Sequence, residues 1–107
     1  MIYLASPYSD PIKDVRIARF EEACTFCAKQ ARAGVVIYSP IVHWHPVAWR
    51  CDLPLDHFYW NFHNKVMIKL CSQLWILMID GVEESAGVEN ELNMALYYGK
   101  EVKRVEP

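Results

Sequence analysis

Trp75-Ile-Leu-Met-Ile79-Asp80-Gly81-Val-Glu-Glu84-Ser85-Ala-Gly87-Val88-Glu-Asn-Glu91-Leu92-Asn-Met-Ala95-Leu-Tyr-Tyr98-Gly99 is the stretch that decides the fold. Its first five residues are an unbroken apolar run, rich in Ile and Leu and stopped by Asp80-Gly81, which reads as a strand buried on both faces. Ser85 follows as a good helix N-cap. From it Val88, Leu92, Ala95 and Gly99 recur at helical spacing as the inner stripe of an amphipathic helix. Strand, acidic loop and helix in that order place a helix N-terminus at the carboxyl end of a buried parallel strand, where open α/β sheets take ligands. At about 100° per residue Glu91 lies on the shoulder of the apolar stripe, beside Ala95 and Tyr98, so its carboxylate points towards the crevice. Glu89 falls on the opposite shoulder and Asn90 on the outer face, both towards solvent.

Outward from this stretch the same alternation repeats. Met1 to Ala5 is a first strand, broken by Ser6-Pro7-Tyr8-Ser9-Asp10-Pro11. Asp10 is expected to cap the next helix with Pro11 at its first position; that helix runs to about Ala33 and stops at Gly34. Val35 to Tyr38 is a second, β-branched strand ended by Ser39-Pro40, and a right-handed crossover joins the two strands. Residues 39–57, with three prolines and His43-Trp44-His45, are expected to be an irregular lid or pocket wall. In it Trp44, Trp49 and the histidines could hold a flat heterocycle. Asp56 opens a helix through Leu70, with Phe62, Val66 and Leu70 stacked in a row and Asn64 on a flank. Glu101 to Val105 is the last short strand.

Four strands alternating with three helices predict a three-layer α/β sandwich with a small parallel sheet, flavodoxin/Rossmann-like, in strand order 2-1-3-4. The loops after Ala5 and Ile79 then face each other, bringing Tyr3, Ser6, Tyr8, Ser85 and Glu91 into one neighbourhood. No glycine-rich dinucleotide fingerprint or P-loop follows the first strand, which removes the usual support for NAD or ATP.

Composition narrows the function classes. With 107 residues, 53% hydrophobic and 22% charged, the chain reads as one globular domain, 1–107. A net charge of -2 disfavours nucleic acid and anionic membranes, the small basic tail of Lys100, Lys103 and Arg104 notwithstanding. No apolar run approaches a membrane span and the chain opens on a strand rather than a charged leader, so a cytoplasmic location is expected. Cys24 and Cys27 fall with Ile17, Phe20 and Ala31 on one expected buried helix face, as core thiols. Cys71 ends the helix before the third strand. Cys51, His43, His45, His57 and His63 lack zinc-finger or helical metalloprotease spacing, so no metal and no cofactor is expected.

Three groups of residues together resemble the nucleoside 2-deoxyribosyltransferase superfamily, most closely its small bacterial and phage branch. They are Ile2-Tyr3-Leu4-Ala5-Ser6-Pro7-Tyr8; Tyr38-Ser39-Pro40-Ile41 with His43 and His45; and Ser85-x-Gly87-Val88-x-x-Glu91-x-x-x-Ala95-x-x-x-Gly99-Lys100. The resemblance implies that Glu91 is a nucleophile attacking the anomeric carbon of a nucleoside or nucleotide, with Tyr3 orienting it. A carboxylate suits that role because it can hold an oxocarbenium-like centre as an ester. Ser85 resembles the phosphate-binding serine of the nucleotide N-hydrolases, where the transferases carry an acid. With the N–H groups of Gly87 and Val88 it would cradle a 5′-monophosphate. Ser6, Tyr8, His43, His45 and Asn64 complete the expected substrate-binding set. Asn64 stands where the family usually has an aspartate, and an amide is no comparable proton donor, so acid assistance would fall to Asp80 or to a histidine of the 43–45 segment. The resemblance thus implies a nucleotide N-glycosidase acting with water, and a homodimer or larger assembly. The alternatives are a non-catalytic nucleotide-binding module and a deoxyribosyltransferase.

Overall fold

The computed structural model describes all residues, Met1–Pro107. Its four strands are β1 (Ile2–Ala5), β2 (Ile37–Tyr38), β3 (Gln73–Leu77) and β4 (Glu101–Val105). The four helices are α1 (Lys13–Arg32), α2 (Pro40–Cys51), α3 (His57–Leu70) and α4 (Ala86–Tyr97). The strands form one all-parallel sheet in the order β2-β1-β3-β4, as the alternation predicts. Side chains of successive strand residues point to opposite faces, so the sheet builds two cores. Tyr3, Ala5, Leu74 and Ile76 pack with Ile68 of α3 and Val88 and Ala95 of α4; Leu4, Leu77 and Ile79 pack with Phe26 of α1 on the other side. α1 therefore covers one face and α3 with α4 the other, a three-layer sandwich.

Several local expectations shift. β3 begins at Gln73 and leaves the sheet after Leu77, two residues earlier than the apolar run alone indicates. Ile79 stays buried in the turn that follows, and Gly81 takes φ 91°. Asp10 does not cap α1: the N-cap is Ile12, whose N–H donates to Asp10 Oδ1 at 2.9 Å, and Pro11 lies before the helix. Gly34, at φ 81°, follows the α1 C-cap as expected. The buried centre of α1 is Ala23 and Phe26; Ile17 and Ala31 are exposed and Cys24 and Cys27 half-buried.

Two corrections are larger. Residues 40–51, expected to be irregular, form α2. Ser39 caps it by accepting from Val42 N at 3.1 Å, Pro40 sits in the first turn where no N–H is needed, and Pro46 lies inside the helix. On α3, capped by Asp56 as expected, the row Phe62, Val66 and Leu70 faces outward, while Asn64 and Ile68 are its buried residues. No helix is long and apolar enough to cross a membrane.

Candidate functional site

A cavity of about 270 Å³ opens at the carboxyl ends of β1 and β3, where the strand order reverses. Four segments line it: Ser6 and Tyr8 after β1; Trp44 and His45 of α2; His57, Trp60 and Asn64 of α3; and Glu84, Ser85, Gly87 and Glu91 at the start of α4. Arg19 of α1 ties the loop after β1 in place by donating to Ser9 O at 3.0 Å, with Asp10 4.0 Å away. Its guanidinium lies over Gly81 of the turn after β3, where a Cβ would run into it.

Glu91 forms the floor. Its side chain is buried, and the Tyr3 hydroxyl donates to its Oε2. Tyr3 is fully buried among Tyr38, Ala5 and Leu74 and reaches the cavity only through this bond. Burial pushes the Glu91 carboxyl up to about 8, against the lowering effect of the Tyr3 hydrogen bond. Burial first, and then the neighbouring Glu91 charge, hold the Tyr3 hydroxyl well above the usual phenol range. With Oε2 engaged, Oε1 is the oxygen left free to react. Beside Glu91, Ser6 Oγ and Asn64 Oδ1 are buried with no protein partner, 4% and 6% exposed as residues. Buried polar atoms seldom stay unpaired, so these two are open positions for a hydroxyl-bearing ligand.

The opposite wall is wetter and aromatic. Tyr8 Oη and His45 Nδ1 are hydrogen-bonded, and His45 stacks on Phe20 with centroids 4.4 Å apart. Burial lowers the His45 pKa, with the Arg16 charge acting in the same direction, so the ring is neutral at pH 7. The pair fits either tautomer: with the Tyr8 hydroxyl donating to Nδ1 the ring proton sits on Nε2, and with Nδ1–H donating to Tyr8 Oη the Nε2 is an acceptor. Trp44 and Trp60 pack at 4.8 Å and give the cavity flat aromatic surface.

At the α4 end, Ser85 Oγ accepts from Val88 N at 3.1 Å, which leaves its hydroxyl hydrogen free. The N–H groups of Ala86 and Gly87 precede the first intrahelical bond and face an anion-favouring helix terminus. No lysine or arginine lines the cavity, and Glu84 stands on its rim.

Of the sequence-predicted residues, Glu91, Ser6, Tyr8, His45, Asn64, Ser85 and Gly87 meet in this cavity, with Tyr3 behind Glu91. Three do not. Asp80 is exposed in the turn after β3 and lines no part of it, because the strand ends earlier than expected. His43 is exposed on α2, against Tyr38 and Trp44, because the helical turn that aims Trp44 and His45 inward aims it away. Val88 is buried in the core with its N–H already taken by Ser85. Trp49 likewise points away from this cavity. His57, Trp60 and Glu84 line it unforeseen; the first two lie seven and four positions before Asn64, on its face of α3, so that residue's inward side was the available signal. No three His, Cys, Asp or Glu side chains converge as a metal-ligand set.

Compared with known proteins, residues 1–106 match a family model described as a domain of unknown function, DUF1937. No curated protein matches the chain.

Proposed function

The chain belongs to the DUF1937 family, and from its own cavity we propose that it is an N-glycosidase that cleaves the base–sugar bond of a nucleoside 5′-monophosphate. The observation that carries this is the buried Tyr3–Glu91 pair at the floor of an aromatic cavity, with two unpaired polar side chains beside it. A carboxyl desolvated to this degree costs stability, and its position on a cavity floor makes it the candidate acid, base or nucleophile of the site.

In the proposed reaction ionised Glu91 attacks the anomeric carbon through Oε1. The C–N bond breaks and its electron pair leaves on the base, which takes up a proton from solvent. Water then attacks the same carbon, loses a proton and displaces the carboxylate. Tyr3 holds Oε2 and fixes the attack direction. Ser6 and Asn64 bind sugar hydroxyls, Trp44 and Trp60 stack on the base, and neutral His45 hydrogen-bonds it. Ser85 and the first N–H groups of α4 receive the phosphate. Asp80 and His43 lie outside the cavity, which leaves His45 as the histidine of the 43–45 segment placed beside the leaving base.

Incubation with ribo- and deoxyribonucleosides and their 5′-monophosphates, read by liberated base, tests the proposal. Release by wild type and none by Glu91→Gln is expected; no release, or equal release by both, overturns it. A second reading, capture of a nucleotide without turnover, is favoured by the amide at Asn64; calorimetry with recovery of intact ligand would identify it. A deoxyribosyltransferase would share the glycosyl intermediate and yield a new nucleoside when a second base is added.

A further inference from the structure

A second cavity, of about 390 Å³, lies between α1 and the later part of α2. Tyr8, His45, Ala48 and Leu55 line both cavities and form the wall between them. The lining of the second one is otherwise its own. From α1 come Lys13, Arg16 and Phe20, three and four positions apart on one helix face, with Glu21 beside Phe20; from α2 and its C-cap come Trp49 and Asp52. The two ion pairs of the molecule, Arg19–Asp10 and Lys103–Glu101, engage none of these four charged groups. Arg16 is partly buried and donates to the Asp10 carbonyl, so its guanidinium has N–H groups to spare and no carboxylate beside it. A guanidinium in that state is suited to receiving an anion from solution. Trp49 is 67% exposed, and alone of the four tryptophans its ring packs on no other aromatic ring.

Two cations and two acids line this cavity, so it disfavours a polyanion and suits a ligand that brings one anionic group together with hydrogen-bond donors. Along α1 the two characters are set apart: Lys13 opens the helix, and Glu21 follows eight residues later, about 12 Å along the axis. A nucleoside monophosphate whose base carries an amino group has the matching parts at the matching separation. Its phosphate is an acceptor for guanidinium and ammonium, its base is a flat surface for an unstacked indole, and its exocyclic amine is a donor to a carboxylate. The volume falls in the range of small-molecule sites. We propose that the second cavity binds such a nucleotide, with the phosphate on Arg16 and Lys13, the base on Trp49 and the amine on Glu21 or Asp52. The inference is independent of what the first cavity does.

The tryptophans supply separate reporters: Trp49 for the second cavity, Trp44 and Trp60 for the first, and Trp75, whose indole N–H is held by Gln73, as a control in the sheet. Indole signals of protein labelled with nitrogen-15 at tryptophan are followed by NMR while CMP, UMP, cytidine or CTP is added. Glu91→Gln, which lies outside the second cavity, is the background that keeps the ligands intact. CMP shifts the Trp49 signal saturably and leaves Trp75 still, while UMP, cytidine and CTP bind several-fold more weakly there. Arg16→Met raises the Kd read at Trp49 by about tenfold and leaves any response at Trp44 and Trp60 as it was; should it not fold, Lys13→Met replaces it. A Trp49 signal unmoved by CMP at millimolar concentration overturns the proposal, as does a Kd that neither Arg16→Met nor Lys13→Met alters. Equal binding of UMP overturns the assignment of the amine. Trp44 and Trp49 titrating together with one equivalent of CMP overturns the second site in favour of a single ligand spanning the wall.

Discussion

The two walls of the cavity each pair a tyrosine with a titratable group, and their differences are instructive. Tyr3 and Glu91 face each other without solvent; Tyr8 and His45 form the same kind of bond at a half-buried edge. On the dry wall burial raises the carboxyl to about 8, so the group is held mostly protonated at neutral pH and becomes a poorly solvated nucleophile once it ionises. On the wet wall burial leaves the imidazole neutral, a hydrogen-bonding surface without charge. One wall is built for reactivity and the other for recognition, and substitutions on each should separate rate from binding.

The largest effect belongs to Glu91→Gln: base release falls at least about a thousandfold, while nucleotide affinity by calorimetry stays within a few-fold. Tyr3→Phe comes next, lowering kcat by roughly 10–100-fold through loss of a buried, charge-assisted hydrogen bond. The pH–rate profile distinguishes positioning from mere packing. Wild-type kcat should climb with pH and level off above about 8. In Tyr3→Phe the inflection moves higher, because the bond that favours the ionised carboxylate is gone.

Stability should move the opposite way to activity. The Glu91 pKa is raised on folding, so its contribution is fully present below the unfolded value of 4.5 and is lost as pH rises through about 8. Each unit across that window removes up to about 1.4 kcal/mol. Glu91→Gln, which does not titrate, should therefore gain in Tm over wild type as pH is raised from 5 to about 8, measured by thermal denaturation. An unchanged difference would mean that the carboxyl is not desolvated.

On the recognition wall the effects are smaller. His45→Phe should raise KM several-fold and alter the ranking of bases, with kcat nearly unchanged, in steady-state kinetics. Smallest of all, Glu84→Gln should tighten 5′-monophosphates a few-fold relative to nucleosides by removing like charge from an exposed rim.

The dry wall was also the more legible in sequence. A two-sided apolar run, a turn and a Ser85 cap specify the strand–loop–helix unit and put Glu91 at its inner shoulder, because each signal is local and they agree. The region 39–57 was not legible, since its prolines read as breakers. Ser39-Pro40, read there as the end of a strand, is equally a cap and first-turn signature, and here it opens α2. α3 misled for another reason. It has apolar residues nearly all round, and periodicity alone does not say which row meets the sheet. The buried row includes Asn64, a polar residue that apolar patterning passes over, while the more regular Phe62–Val66–Leu70 row faces outward. The missed lining residues His57 and Trp60 follow from that same rotation of the helix.

The most direct measurement is mass spectrometry of the peptide containing Glu91 after incubation with a 2′-fluoro nucleoside or its 5′-monophosphate. The fluorine disfavours the oxocarbenium-like transition state, and a good leaving base lets the first step outrun the second. A carboxyl that attacks the anomeric carbon predicts that base is released and that the sugar's mass is left on Glu91. Base released with Glu91 unmodified and the sugar attached to another side chain, or to none, would contradict it.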